Sequence, residues 1–387
     1  MNLTPFDHTL CTRLVFGAGS FSQLGTLASE LGAGRVLLVT DPGIVKAGYA
    51  ERAQTLLESA GLAVTVFDMV RENPTTDDVD LCRDMACDAE IDFLVGLGGG
   101  SSLDTAKGVN FLLTNGGTMH DYWGSHKAAK PMLPMIAVPT TAGTGSDVQS
   151  YALISDAKTH AKMACGDPKA TPKIALLDPE LTVTLSASVT AISGIDAIVH
   201  AVETAVTTKR NSLSLLYSRE AFRLLLPNFV RVLDSPNDIE ARGAMLLGAT
   251  YAGLAIENSM LGAAHSCANP LTAQFKTVHG IAVGIMLPHV MQFNAALPEV
   301  QQTYFDLLLE RREIISMLEL EYAAEALGQT ITDCLTYAKL PTKLSECGVT
   351  AEAIPALVEG AMKQWTAQFN PRPLTVADFQ SLYRAAL

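Results

Sequence analysis

Leu94-Val95-Gly96-Leu97-Gly98-Gly99-Gly100-Ser101-Ser102-Leu103-Asp104-Thr105-Ala106-Lys107 is the stretch that decides the fold. With Phe93 it opens as a short apolar run closed by glycines, the pattern of a buried strand. The glycines give way to a helical stretch that carries Asp104 and Lys107. A strand, a glycine turn and a helix in that order let backbone approach a pyrophosphate closely. The free amides at the helix N-terminus then serve as donors. Ser101 and Ser102 suit capping or phosphate binding. The spacing is neither GxGxxG nor a Walker loop, because no GK[ST] follows.

The same alternation extends outward. Upstream, residues 1–30 read as a short strand and then a helix entered at Gly19-Ser20. Arg35–Thr40 reads as a buried strand, Asp41-Pro42-Gly43 as a turn, Val45–Ala60 as a helix, Ala63–Phe67 as a strand and Thr75–Glu90 as a helix. Downstream, Pro134–Pro139 is a further apolar strand. It runs into PTTAGTGSD (139–147), whose hydroxyls and amides suit a ribose or a nicotinamide amide. Strands alternating with helices across short turns predict a parallel sheet covered on both faces. Asp41, at the end of its strand, is placed either to accept from an adenosine ribose or to serve as a plain turn residue. In the first role its charge repels a 2′-phosphate and favours NAD over NADP.

Beyond about residue 185 strand patterns vanish and helical ones take over, at 190–208, 212–233, 238–258, 260–275 and 280–296 and on to the end. Pro227 is expected to kink or divide the second of these. The division expected is therefore 1–185, an α/β dinucleotide-binding domain, and 186–387, an all-helical domain. Within the second, Asp196 and His200 are four residues apart and so share a helix face. His265 and His279 lie in a separate cluster. One carboxylate and three imidazoles can hold a divalent ion and suit Fe(II), Zn or Mn without choosing among them.

Composition narrows the partners. The 387 residues are long enough for two or three full cores. A net charge of −13 argues against nucleic acid or anionic membrane. The odd cysteine count, with no CxxC, reads as reduced thiols of a cytoplasmic protein. MNLTPFDHTLCTRLVFG has neither a basic nor an apolar leader region, so no signal peptide is expected. The stretch that comes nearest to a membrane span, 136–154, is broken by Pro, Gly and Asp, so no span is expected either.

GGGSSLDTAK (98–107), VPTTAGTGSDV (138–148), ALLDPEL (175–181), GIDAIVHAVET (194–204), HSCANPL (265–271) and VHGIAVGIMLPHVMQFN (278–294) follow one another in this order, down to NPRPLT (370–375). Together they resemble the iron-containing, or group III metal-dependent, alcohol dehydrogenase family. The resemblance implies a dehydroquinate synthase-like two-domain fold with the active site in the interdomain cleft. It implies an oxidoreductase moving hydride between a small alcohol and NAD, with Fe(II), or sometimes Zn, as metal. It also implies a homodimer or larger homo-oligomer. Carried over by residue, the metal and catalytic set is Asp196, His200, His265 and His279. The cofactor contacts are Asp41, Asn73, Gly99, Gly100, Ser101, Thr140, Thr141, Thr144 and Lys162.

The chain departs from the family pattern in places. Where members often read HxxxH, Asn269 follows His265 and replaces a histidine thought to assist proton transfer. Ser186 replaces a usual Pro, and SGIDA (193–197) replaces TGMDA. The substrate pocket is expected around Gln149–Tyr151 and Ala255–Leu261, with Asn269 and Phe275, and to take a small, largely uncharged alcohol or aldehyde. A hydroxyacid–oxoacid transhydrogenase shares this chemistry. A dehydroquinate synthase-like lyase would need a Glu-His-His shell and a basic pocket, which the helical half lacks.

Overall fold

The computed structural model describes residues 4–309 and 319–387. The chain divides into two compact units, Thr9–Leu185 and a second comprising Ser186–Leu387 with the segment ending at His8. The sequence-based division put that first segment with the α/β unit. Its contacts are with the other: His8 Nδ1 is 2.9 Å from Asn258 Oδ1, and its ring stands 6.4 Å from that of Tyr217.

The α/β unit is built on a six-stranded sheet of order β1-β9-β6-β4-β2-β3, parallel throughout. Its strands are β1 (Arg13–Phe16), β2 (Arg35–Val39), β3 (Ala63–Phe67), β4 (Phe93–Gly98), β6 (Met135–Pro139) and β9 (Ile174–Leu177). Between them run α1 (Leu24–Glu30), α2 (Pro42–Lys46), α3 (Tyr49–Ser59), α4 (Thr76–Cys87) and α5 (Gly100–Asn115). Successive residues of β2 fall into different cores, Leu37 and Val39 on one face and Val36 and Leu38 on the other. Apolar side chains buried on both faces are what a fully covered parallel sheet requires.

Two local expectations change. Asp41-Pro42-Gly43 starts a helix: Asp41 Oδ1 accepts from Gly43 N at 2.9 Å and Ile44 N at 3.1 Å, with Pro42 at the first helical position. The helix expected over 45–60 is split into α2 and α3 at Gly48, whose φ of 80° ends the first turn. Sequence reading also passed over a small second sheet of β5 (Gly124–Ser125), β7 (Tyr151–Ser155) and β8 (Lys162–Gly166), in which β7 and β8 pair antiparallel.

The second unit is helical: α6 (Ala187–Thr204), α7 (Ser212–Asp234), α8 (Ile239–Ser259), α9 (Ala263–Phe275), α10 (His279–Asn294), α11 (Pro298–Leu309), α12 (Ala323–Tyr337), α13 (Ile354–Met362) and α14 (Val376–Ala385). Of the two outcomes expected at Pro227, a kink or a division, the division does not occur: α7 runs through it. Its buried side, Phe222, Leu225 and Phe229 among them, supplies packing that outweighs one lost backbone bond.

Candidate active site

The metal candidates come together from three helices. Ser186 Oγ caps α6 through Val189 N at 3.2 Å, and two and a half turns on Asp196 and His200 share one face. α9 supplies His265 near its start, and α10 opens on His279. Asp196 Oδ1 lies 3.5 Å from His200 Nε2 and 3.8 Å from the Nε2 atoms of His265 and His279. Two ligands of one ion, each at about 2.1 Å, stand no more than about 4.2 Å apart, so these spacings fit. The donor atoms of Asp196, His265 and His279 all lie within 4.8 Å of one another. His200 joins them through Asp196 and by stacking on His265, with centroids 4.8 Å apart and planes 19° apart.

Two of these donor atoms, Asp196 Oδ1 and His265 Nε2, are buried with no hydrogen-bond partner. Leaving buried polar atoms unsatisfied costs roughly 1–3 kcal/mol each, and a shared cation removes that cost. Burial works against a charged Asp196, but His200, His265 and His279 outweigh it and hold its carboxyl well below the usual range. Burial also disfavours a charged His265, and Glu203 and Asp196 overcome this, lifting its pKa to about 9. At these spacings the ionised Asp196 and the three imidazoles fit a divalent cation, which would displace the proton that Glu203 and Asp196 otherwise favour on His265.

Glycine lets α10 come close enough. A Cβ at Gly280 would lie 2.2 Å from Ile192 O, on the backbone of α6. Gly280→Ala is therefore expected to push α10 away, carrying His279 from Asp196. It should cost about 1–3 kcal/mol in thermal unfolding, with metal stoichiometry reduced in elemental analysis. A variant with parental melting and metal content would show that the contact is relieved without moving His279.

The nucleotide candidates gather at the carboxyl ends of neighbouring strands of the α/β unit. After β2 the chain moves outward to β3, and after β4 it moves the other way to β6, so the strand order switches between β2 and β4. Open parallel sheets bind ligands at such a point. Asp41 follows β2 there, and Gly98–Ser101 close β4. Ser102 Oγ donates to Asp41 Oδ2 at 3.1 Å. Gly98 has φ 147°, and a Cβ on it would lie 2.5 Å from Ser102 Oγ and 2.9 Å from Asp41 Oδ2, so only glycine fits.

Thr140 N donates to Gly98 O at 2.9 Å, joining the second loop to the first. A Cβ on Gly99 would meet Thr141 Cγ2 at 3.3 Å, and one on Gly100 would meet Thr144 Cγ2 at 2.7 Å. Asn73, beyond β3 with φ 53°, donates its backbone N–H to Ser101 Oγ at 3.2 Å. Eight of the nine residues named from sequence therefore meet at one rim. Lys162 opens β8 in the small sheet, where its charge acts on Asp104.

The pocket residues are less clearly placed. Tyr151 belongs to the small sheet, its Oη 2.9 Å from Ser125 Oγ and its ring over Gly166. Asn269 lies one turn after His265 on α9 and donates to Gln364 Oε1 at 2.9 Å. Phe275 ends α9, half-buried, before Lys276 at φ 54°.

Sequence reading missed Glu203, whose Oε2 lies 2.5 Å from His265 Nδ1. The signal was available: Asp196, His200 and Glu203 stand at i, i+4 and i+7, one stripe of α6. It also gave Lys107 no role. That side chain is fully buried, and Nζ donates to Ser146 O at 2.6 Å, Ser146 Oγ at 2.8 Å and Tyr151 O at 2.9 Å.

A glycine-rich rim at a switch point of a parallel sheet and an aspartate–histidine cluster on packed helices are the features expected of a nucleotide-linked, metal-using class of enzyme. Residues 11–179 match the model for iron-containing alcohol dehydrogenase, and residues 190–387 match that for the Fe-containing alcohol dehydrogenase family, C-terminal. The chain is 34% identical over 380 residues to the NAD-dependent methanol dehydrogenase of Bacillus methanolicus, covering 96% of this chain and 97% of that protein. It is 33% identical over 373 residues to alcohol dehydrogenase 4 of Schizosaccharomyces pombe, covering 96% and 87%. The crystal structure of a 1,3-propanediol oxidoreductase superposes with a TM-score of 0.95 at 30% identity, covering 99% of this chain and all of that one. The chain belongs to the iron-containing alcohol dehydrogenase family.

Proposed function

We propose that this protein is a metal-dependent, NAD(H)-linked alcohol dehydrogenase and aldehyde reductase for a small, largely uncharged alcohol. The Asp196–His200–His265–His279 cluster, in which Asp196 Oδ1 and His265 Nε2 are buried without a hydrogen-bond partner, carries the reading. The relatives' names support it: one is NAD-dependent and acts on methanol, and the superposing structure is a 1,3-propanediol oxidoreductase. A divalent ion, Fe(II) by family usage with Zn or Mn also accommodated by the ligand set, would supply Lewis-acid polarisation of the substrate oxygen. Gly99, Gly100, Ser101, Thr140, Thr141 and Thr144 would hold and orient the dinucleotide, with Asn73 beside them, Lys162 reaching it from the small sheet and Asp41 disfavouring a 2′-phosphate. Hydride chemistry belongs to the cofactor, and position is what the protein supplies.

Tyr151, Asn269 and Phe275 are proposed to contact the substrate. The Asn269 amide does not exchange a proton near neutral pH, so water or a ribose hydroxyl would move the alcohol proton. Asn269→His is then expected to add an ionisation near pH 6–7 to the kcat/KM profile, read in steady-state assays. A profile that matches the parent's would argue against any relay at 269.

The reading extends to a homodimer or larger assembly and to the cytoplasm. Free thiols at all seven cysteines support the second. No helix among the described residues is long and apolar enough to cross a membrane. The deciding experiment is an alcohol and aldehyde panel with NAD(H), run on metal-free protein reloaded separately with Fe(II), Zn and Mn. Turnover with release of free NADH supports a dehydrogenase rather than a transhydrogenase. No turnover with any of the three metals would sink the assignment.

A further inference from the structure

We infer that Glu203 is a positioning residue for the metal centre: it fixes the His265 ring so that Nε2, and not Nδ1, faces the ion. The inference rests on the metal reading above. Glu203 lies on α6 and is 3% exposed. Its two carboxylate oxygens have separate tasks. Oε2 lies 2.5 Å from His265 Nδ1, and Oε1 accepts from Ala264 N at 2.7 Å.

A carboxylate only accepts hydrogen bonds, so Nδ1 of His265 must carry the proton in that contact. The lone pair of the neutral ring is then left on Nε2. That atom is buried, has no hydrogen-bond partner and stands 3.8 Å from Asp196 Oδ1. The ring is thus clamped at one nitrogen and presented at the other. His200 stacked on one side and His279 tilted at 5.3 Å leave it little freedom to flip. The Ala264 contact extends the clamp to the backbone, because it ties the first turn of α9 to the helix that already carries Asp196 and His200. The approach is close: a Cβ at Gly262 would lie 3.2 Å from Glu203 Oε1. One side chain therefore sets both the rotation of the ring and the position of the helix that bears it.

Removing such a partner from a metal-bound imidazole weakens binding by about 10–100-fold. Glu203→Gln keeps the size and can still accept from Ala264 N, so the fold should survive. Glu203→Ala removes both contacts. The test is the Zn dissociation constant, by competition with a chromophoric chelator, together with the visible spectrum of the Co(II)-loaded protein. The expected result is a Zn constant raised about 10–100-fold in Glu203→Gln, with an altered Co(II) band and far-UV circular dichroism like the parent's. Glu203→Ala should weaken binding at least as much. A Zn constant within about twofold of the parent's and a superimposable Co(II) spectrum in Glu203→Gln would overturn the inference alone. Parental Zn affinity in Asp196→Ala would overturn the metal reading, and the inference with it.

Discussion

Asp196→Ala is expected to abolish stoichiometric metal binding and to lower kcat/KM by roughly three orders of magnitude or more, which is about 4 kcal/mol of transition-state stabilisation. Asp196 Oδ1 approaches all three candidate imidazoles, at 3.5, 3.8 and 3.8 Å. Among the four candidate ligands it alone carries a negative charge, so its loss would leave three neutral rings to hold a dication. NAD affinity, in contrast, should stay within about twofold, since the candidate loops are in the other unit. Elemental analysis, steady-state kinetics and a nucleotide titration on one preparation read all three. Full activity at full metal content would remove Asp196 from the site.

Lys107→Met should be the most damaging change in the α/β unit outside the nucleotide rim. The ammonium satisfies two main-chain carbonyls and a hydroxyl from inside the protein, with no exposure to water. Methionine matches its length but donates nothing. Each acceptor it deserts costs about 1–3 kcal/mol, so at least about 3 kcal/mol is expected. For a unit of this size that is a fall of about 6–12 °C in melting temperature. Ser146 Oγ also donates to Asp104 Oδ1 at 2.6 Å, and burial already pushes the Asp104 pKa up despite Lys107 and Ser146. Without Lys107 that carboxyl should be driven further toward its neutral form. Asp104→Asn in the same background should therefore recover part of the loss, an interaction visible in a double-mutant cycle. A single variant that melts within a degree or so of the parent would show that water replaces the ammonium.

The parts legible in sequence were those with a local signature. Val36–Val39 and Leu94–Leu97 announce strands because both faces are buried, and Gly98–Gly100 announce a turn because other residues would collide there. Asp196 and His200 declare each other by helical spacing. The small sheet was harder to see, because Tyr151–Ser155 and Lys162–Gly166 are short and flank a polar turn that reads as loop. Gly48, which splits a helix, and Pro227, which does not, are decided by tertiary packing and not by propensity. Glu203 and Lys107 escaped for a related reason. Charged residues inside helices read as solvent-facing until their partners, 62 and 39 residues away, are known. His265 and His279 needed the resemblance to be joined to Asp196, since three separate helices bring them together.

The contact between His8 and Asn258 spans 250 residues of chain. Synthesis runs from the amino end, so the segment carrying His8 leaves the ribosome long before its docking surface exists. The intervening α/β unit can fold in that interval, domains generally folding as units during synthesis. The segment must wait, tethered and exposed, until α8 has been made. Closing so long a loop is entropically cheap in logarithmic terms but late in time. Seating of this strap should therefore be among the last events of folding, and a bulky fusion at the amino end would burden the helical unit instead of the sheet that directly follows it in sequence.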